Sequence, residues 1–303
     1  MKRSLPLTTW KNMAPPYHEY EYFQGKETYP FRADAEQFDF VNAWWLIESA
    51  TLAYAEEEFV RPRFLSAGFS EVRYFTGNGT DCFVAHNDAC IVVAFRGTET
   101  RRRSGVQDLQ NIIVDIKTDC DILLIDDPHH HGKVHKGFLA ALEQIWEELA
   151  QYLTSIHQAP RTLWMTGHSL GAALATLAAD RYKQVQGLYT FGSPRVGNPE
   201  FKKHFRVRAF RVVNNGDLVT TVPPTGFYEH VGELWYINSE GQMRKNCRRS
   251  EMWTDGFRGE VQNVVDSLEH MKQGSFNFIP GGLKDHVPTR YAVHLWNNLL
   301  EQK

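Results

Sequence analysis

Residues 161–180 read RTLWMTGHSLGAALATLAAD. Leu163, Trp164 and Met165 make a short apolar run of the kind that forms a buried strand. Gly167-His168-Ser169-Leu170-Gly171 follows at once, and Ala172 to Ala179 continues as a helix-forming run with no Gly or Pro. Strand, G-x-S-x-G and helix in immediate succession are the setting of a nucleophile elbow. Such a chain must reverse sharply, so the serine backbone is strained and its neighbours must be small. Gly167 and Gly171 supply that room. Ser169 Oγ is then lifted above the sheet edge. The Leu170 N–H, at the start of the helix, is aimed where a developing oxyanion would sit. The competing interpretation is a serine in a Gly-rich turn that does no chemistry or binds a phosphate.

Working outward, residues 89–95 (ACIVVAF) are a continuous apolar run typical of a central strand, ending in Arg96-Gly97-Thr98. Residues 187–191 (GLYTF) and 208–213 (RAFRVV) are two further strands. The first ends in Gly192-Ser193-Pro194-Arg195. The second ends in Asn214-Asn215-Gly216-Asp217, which puts Asp217 just past a strand's C-terminal end, where open α/β sheets carry their sites. Short strands are expected at 71–75, 82–85 and 233–237. Helices are expected at 34–56, 139–157, 261–271 and 289–301, with a short one at 57–65 broken near Pro62. Phe38, Val41, Trp45 and Leu52 share one face of the first helix, interrupted by Glu48. Leu142, Ile145, Trp146, Leu149 and Leu153 form the buried stripe of the helix that precedes the elbow. Residues 245–255 read as polar surface, and residues 1–33 as an extended arm around the domain. Val106, Leu109, Ile112, Ile113 and Ile116 recur at helical spacing in 101–119. Periodicity alone assigns that segment to an ordinary surface helix, with a lid as the functional alternative.

The 303 residues are 42% hydrophobic, enough for a sizeable core, and no repeat or Gly/Ser linker divides them, so one domain is expected. A net charge of −3 with both signs mixed gives no footprint for nucleic acid. No run approaches the ~18 apolar residues of a membrane span. The first residues lack the apolar stretch of a secretory signal, which makes the cytoplasm the expected compartment. Cys82, Cys90, Cys120 and Cys247 form no C-x-x-C pair. Cys82 and Cys90 could face each other across a hairpin, although free thiols are expected in a reducing compartment. His129-His130-His131 and His135 suggest a metal site, but no carboxylate or cysteine except Asp126 and Asp127 joins them at ligand spacing, so they read as a solvated loop; no metal and no cofactor is expected.

A serine hydroxyl needs a base, and the base needs an orienting group. The order Ser, acid, His suits this elbow. Asp217 is the best-placed acid, since Asp255 and Asp266 lie in polar or helical segments. The base candidates after it are His230, His270, His286 and His294. His286 lies in a loop before the last helix, and position alone leaves it level with His294.

These pieces together resemble the class 3 lipases, the family of the fungal lipases. They are Phe95-Arg96-Gly97-Thr98, Val134-His135-Lys136-Gly137-Phe138, Thr166 to Gly171, Phe191 to Asn198, Asn215-Gly216-Asp217 with Pro223-Pro224, and Asp285-His286 with Tyr291. The resemblance implies an α/β-hydrolase fold, a central mostly parallel sheet flanked by helices with a helical lid at about 99–119. It implies Ser169 as nucleophile, Asp217 as orienting acid, His286 as general base, and Thr98 and Leu170 as oxyanion-hole residues. It also turns the 101–119 helix from surface helix to lid. That segment is longer and more basic at its start than the compact fungal lid.

The expected activity is serine ester hydrolysis, foremost of triacylglycerols through an acyl-enzyme at a lipid–water interface. The partners would be the lipid or ester substrate and, transiently, that interface. Alternatives are a phospholipase, a soluble feruloyl-type esterase, and a non-catalytic lipid-binding regulatory module. Against the last, a binder needs no triad.

Overall fold

The computed structural model describes residues 1–9, 12–97, 123–128, 132–158, 160–272 and 279–302, without the side chains of 261, 262 and 264–272. Thr98, the expected lid, Cys120 and His129 to His131 lie outside the described residues.

An eight-stranded sheet carries the molecule. Its strands are β1 (Glu71–Thr76), β2 (Asp81–His86), β3 (Cys90–Phe95), β6 (Thr162–His168), β7 (Gly187–Phe191), β8 (Ala209–Asn214), β9 (Glu233–Ile237) and β10 (Met243–Lys245), in the spatial order β1-β2-β3-β6-β7-β8-β9-β10. The five strands from β3 to β9 run parallel, and an antiparallel strand or hairpin closes each edge. A separate two-stranded ladder joins β4 (Leu124–Asp126) to β5 (Lys133–His135).

Alternation along the central strands divides the apolar residues between two faces. Val92, Ala94, Trp164, Tyr189 and Phe191 point to the layer holding α1 (Phe40–Leu52) and α8 (Pro288–Glu301). Ile91, Val93, Phe95, Leu163, Met165 and Leu188 point to α3 (Lys136–Ile156) and α4 (Leu170–Tyr182). With both faces covered, β2, β3 and β7 are buried along their whole length, which is why β3 reads as an unbroken apolar run. The remaining helices are α2 (Glu57–Ser66), α5 (Pro199–His204), α6 (Arg249–Lys272) and α7 (Gly281–Lys284).

Several boundaries differ from the sequence expectation. α1 starts at Phe40 rather than 34, because Asp39 caps it by accepting from the Asn42 N–H at 3.0 Å, and Phe38 leaves the helix to stack on Trp235. Glu48 does not interrupt an apolar face. It is fully buried and accepts from Trp44 Nε1 at 2.9 Å, Tyr20 Oη at 2.7 Å and the Phe23 N–H at 3.3 Å, with Arg3 at 3.3 Å. α1 is therefore covered by the N-terminal residues on the side away from the sheet. α2 runs through Pro62, held by the buried Val60 and Phe64 on either side. α6 begins at Arg249, twelve residues before expected, because the Glu251 carboxylate reaches back to the Arg248 N–H at 2.9 Å and starts the helix. Trp146 is only partly buried. Cys82 and Cys90 are not opposed: Cys82 pairs with Phe95 at the far end of the β2–β3 ladder, and both are free thiols. His135 caps α3, its Nδ1 accepting from Gly137 N–H at 3.1 Å.

Candidate active site

Ser169 stands between β6 and α4 with φ 58° and ψ −130°, a conformation that costs an L-residue energy and survives only when the surroundings enforce it. Its N–H donates to Phe191 O at 3.0 Å, and its carbonyl accepts from Ala172 N–H at 3.0 Å. A Cβ on Gly171 would run into the Arg96 and Gly97 backbone, so the end of β3 lies directly against the start of α4. Leu170 is the first residue of α4, and its N–H belongs to the unpaired first turn. The end of β3 leads through Gly97 toward Thr98, the other expected donor.

Asp217 follows β8 and caps a 3₁₀ turn, Leu218–Thr221, its Oδ1 accepting from Val219 N–H at 2.9 Å. Both its oxygens lie 2.9 Å from His286 Nδ1. Tyr291 Oη donates to Oδ2 at 2.5 Å and itself accepts from the Asn214 N–H at 3.0 Å. Asp217 and His286 are each 1% exposed. A carboxylate offers only acceptors, so Nδ1 carries the imidazole proton and Nε2 is left with its lone pair. Nε2 is buried and has no hydrogen-bond partner among the described residues.

The backbone of His286 is also held. Its carbonyl accepts from His168 Nε2 at 2.7 Å, and His168 Nδ1 accepts from Tyr54 Oη at 2.9 Å. Complete burial, with the nearby His286 ring second, pushes His168 well below the ordinary histidine range, so it stays neutral with its proton on Nε2. The two rings lie 4.5 Å apart. Since His168 and Ser169 are adjacent in the chain, this contact fastens the His286 loop to the elbow. The Asp285 carboxylate accepts from Asn215 Nδ2 and Gly216 N–H, both at 3.1 Å, and its carbonyl accepts from Asn214 Nδ2 at 2.9 Å. Burial pushes Asp285 up to about 7 against the pull of Arg290, and the charge on Asp217 adds to the rise.

Other candidates have different company. His230 Nε2 donates to Thr220 O at 2.9 Å, and His294 sits on α8 beside Gly241. Asp255 accepts from Tyr236 Oη at 2.8 Å and Ser239 Oγ at 2.7 Å, which joins α6 to the β9–β10 hairpin. The side chains of Asp266 and His270 lie outside the described residues. Tyr54, His168, Asp285 and Tyr291 were not given roles by sequence reasoning. For Tyr291 the signal was its fixed place after Asp285-His286; for Tyr54, far away in sequence, there was none.

The parallel sheet and the strand–serine–helix turn are those of the α/β-hydrolase fold. Residues 92–227 match the family model for class 3 lipases. Over that segment the chain is similar to that family. It is 31% identical to a lipase of Rhizomucor miehei over 65% of this chain and 56% of that protein. It is 34% identical to the secreted mono- and diacylglycerol lipase 1 of Fusarium solani, over 65% of this chain and 60% of that one. The chain thus spans less than two thirds of these relatives' length. Among solved structures, the mono- and diacylglycerol lipase of Aspergillus oryzae shares the fold, with a TM-score of 0.53 and 24% identity over 66% of this chain and 80% of that one. Among the described residues no helix is long and apolar enough to cross a membrane.

Proposed function

We propose that this chain hydrolyses acylglycerol esters through a serine-bound acyl intermediate. The observation that carries the proposal is the state of the His286 ring: Nδ1 held by Asp217, and a buried Nε2 lone pair with no partner. A base in that state is ready to take a proton from a hydroxyl presented by the neighbouring elbow.

Ser169 Oγ attacks the ester carbonyl carbon as Nε2 takes its proton. The carbonyl π electrons move onto oxygen, where the Leu170 N–H and the Thr98 N–H receive the charge. One such donor is typically worth about 3 kcal/mol in the transition state. Asp217 stabilises the imidazolium and holds its tautomer. Collapse breaks the bond to the alcohol oxygen, which leaves with the proton from Nε2. Water, deprotonated by the same nitrogen, then cleaves the acyl-enzyme and returns Ser169.

Acylglycerols are the favoured substrate class because both named relatives are lipases, one of them acting on mono- and diacylglycerols. A lid at 99–119, over a single unit spanning 1–303, and transient contact with a lipid–water interface belong to the same proposal. The unbridged Cys82, Cys90 and Cys247 favour a reducing compartment such as the cytoplasm.

The test is hydrolysis of p-nitrophenyl esters from acetate to palmitate and of emulsified triolein, with Ser169→Ala in parallel. Long-chain and triolein turnover, abolished in the variant, is the expected result. Turnover confined to short chains removes the lipase assignment. Absence of any Ser169-dependent turnover removes the hydrolase.

A further inference from the structure

Among the described residues, three aromatic side chains are exposed, and they lie on adjoining elements. Trp253 (77%) and Phe257 (64%) stand one turn apart on α6, and Phe227 (71%) tops the tight turn at 225–228. Arg249 in the first turn of α6 donates to Thr225 Oγ1 at 3.3 Å, which joins the two elements. Isolated exposed apolar residues are ordinary in folded proteins; adjoining elements that carry every exposed aromatic among the described residues are not.

Of the carboxylates described on α6, Asp255 accepts from Tyr236 and Ser239, Glu260 accepts from the Gly281 N–H at 3.0 Å, and the exposed Glu251 accepts from the Arg248 N–H. Arg248 lies beside the exposed Glu251 carboxylate, whereas Arg249 and Arg258 are exposed with no ion pair among the described residues. A chain of net charge −3 therefore presents a rim of two unpaired arginines on the helix that carries two of its exposed aromatics. The inner face of the same helix lies against the loop that carries Asp217, where Gly259 abuts the Asn215 amide and Gly256 faces Gly216.

We infer that α6, with Phe227, is a docking surface for an anionic lipid layer, seating the aromatics at the headgroup–acyl boundary and the arginines on the phosphates. Tryptophan beside phenylalanine suits that depth, and arginine suits phosphate. A second copy of this chain is the poorer occupant, since a two-fold contact would bring the arginine rims face to face. The inference deepens the acylglycerol reading and rests on it for its purpose: the surface would hold the acid-and-histidine side of the site against its substrate layer.

The test is co-sedimentation of the full chain with vesicles of equal phosphatidylglycerol and phosphatidylcholine, and with phosphatidylcholine alone. Ser169→Ala is the background, so the vesicles stay intact. Trp253→Ser with Phe257→Ser is expected to lower partition onto the anionic vesicles by about tenfold or more. Arg249→Glu with Arg258→Glu is expected to lower it by about fivefold for each arginine lost, and added salt to weaken it. Circular dichroism and the urea midpoint check folding, which changes at exposed positions leave intact. Unchanged partition in the aromatic variant overturns the inference. So does equal, salt-insensitive binding to both vesicles, or a dimer that the aromatic variant dissolves while vesicle binding persists. Because the readout is binding by an inactive chain, failure here is distinct from failure of ester turnover.

Discussion

Tyr291 donates its phenolic hydrogen to Asp217 Oδ2 at 2.5 Å from within α8, while Asp217 holds His286, which lies just ahead of that helix. Asp217 and His286 are thereby set by one rigid element. Burial, then the charge of Asp217, pushes the tyrosine well above its ordinary range, so it stays a donor at every working pH. Tyr291→Phe removes the donor and leaves the buried Asn214 N–H unpaired. We expect a loss of about 1–3 kcal/mol in urea unfolding. We also expect kcat to fall with little change in KM, because the bond orients the acid and touches no substrate. A fall in KM alone would argue against this positioning role.

The pair Tyr54 and His168 is open to a milder test. Tyr54→Phe deletes the hydroxyl on His168 Nδ1 and keeps the ring. The imidazole is then free to carry its proton on Nδ1, which would strand the His286 carbonyl. About 1 kcal/mol of stability should be lost, and kcat should fall several-fold. Imidazole ¹⁵N shifts should report mixed tautomers of His168 in the variant and a single Nε2–H form in the parent. A single Nε2–H form in both would show that Tyr54 does not select the tautomer.

Gly192→Ala should be far more damaging than its one added methyl suggests. The residue has φ +57°, and a Cβ there would stand 2.7 Å from Asp217 Oδ2 and 3.0 Å from the His286 ring. The first is closer than real Cβ contacts come and the second is tighter than most of them, so Asp217 and His286 must shift. A displacement of ~1 Å at a catalytic pair costs on the order of 100-fold in rate. The check is ester turnover beside a circular dichroism spectrum; parent-like activity in a folded variant would mean that the pair tolerates the methyl.

Asp285 should make stability depend on pH. Its folded-state value, about 7, is above the ~3.9 of an unfolded aspartate. The native state therefore binds the proton more tightly. Stability should be greatest below about pH 4, fall as pH rises toward 7, and level off above it. The ceiling for this single group is about 4 kcal/mol. Asp285→Asn keeps an acceptor for the Gly216 N–H without the charge. Urea midpoints at pH 5 and pH 8 should then differ less in the variant than in the parent. An unchanged difference would locate the slope in other groups.

Much of the frame was legible because it rests on local rules. Residues 89–95 read as a central strand from their unbroken, β-branched apolar run and 187–191 as a short buried strand, and β3 and β7 occupy almost those bounds. The helix after Ser169 was equally plain. The first half of α6 was not, because its start depends on the Glu251 cap and on Asp255 gripping the β9–β10 hairpin. Glu48 was misread for a related reason: what makes a buried carboxylate acceptable is four partners from three separate stretches of chain.

The sequence by itself determined the class of fold and which serine stands at the turn, because strand, elbow and helix follow from neighbouring residues. It also narrowed the acid to Asp217 by its place after a strand. It could not separate His286 from His294 by position. The resemblance pointed to His286, and the tertiary structure shows which of the two meets Asp217, since hydrogen bonding requires side chains within about 3 Å. His286 meets Asp217 at that distance, whereas His294 faces the Gly241 turn. The links from Tyr54 through His168 to the His286 carbonyl, and from Tyr291 to Asp217, span 232 and 74 residues of chain. No local pattern encodes a contact of that range; it exists only once the sheet brings the two ends of the chain together.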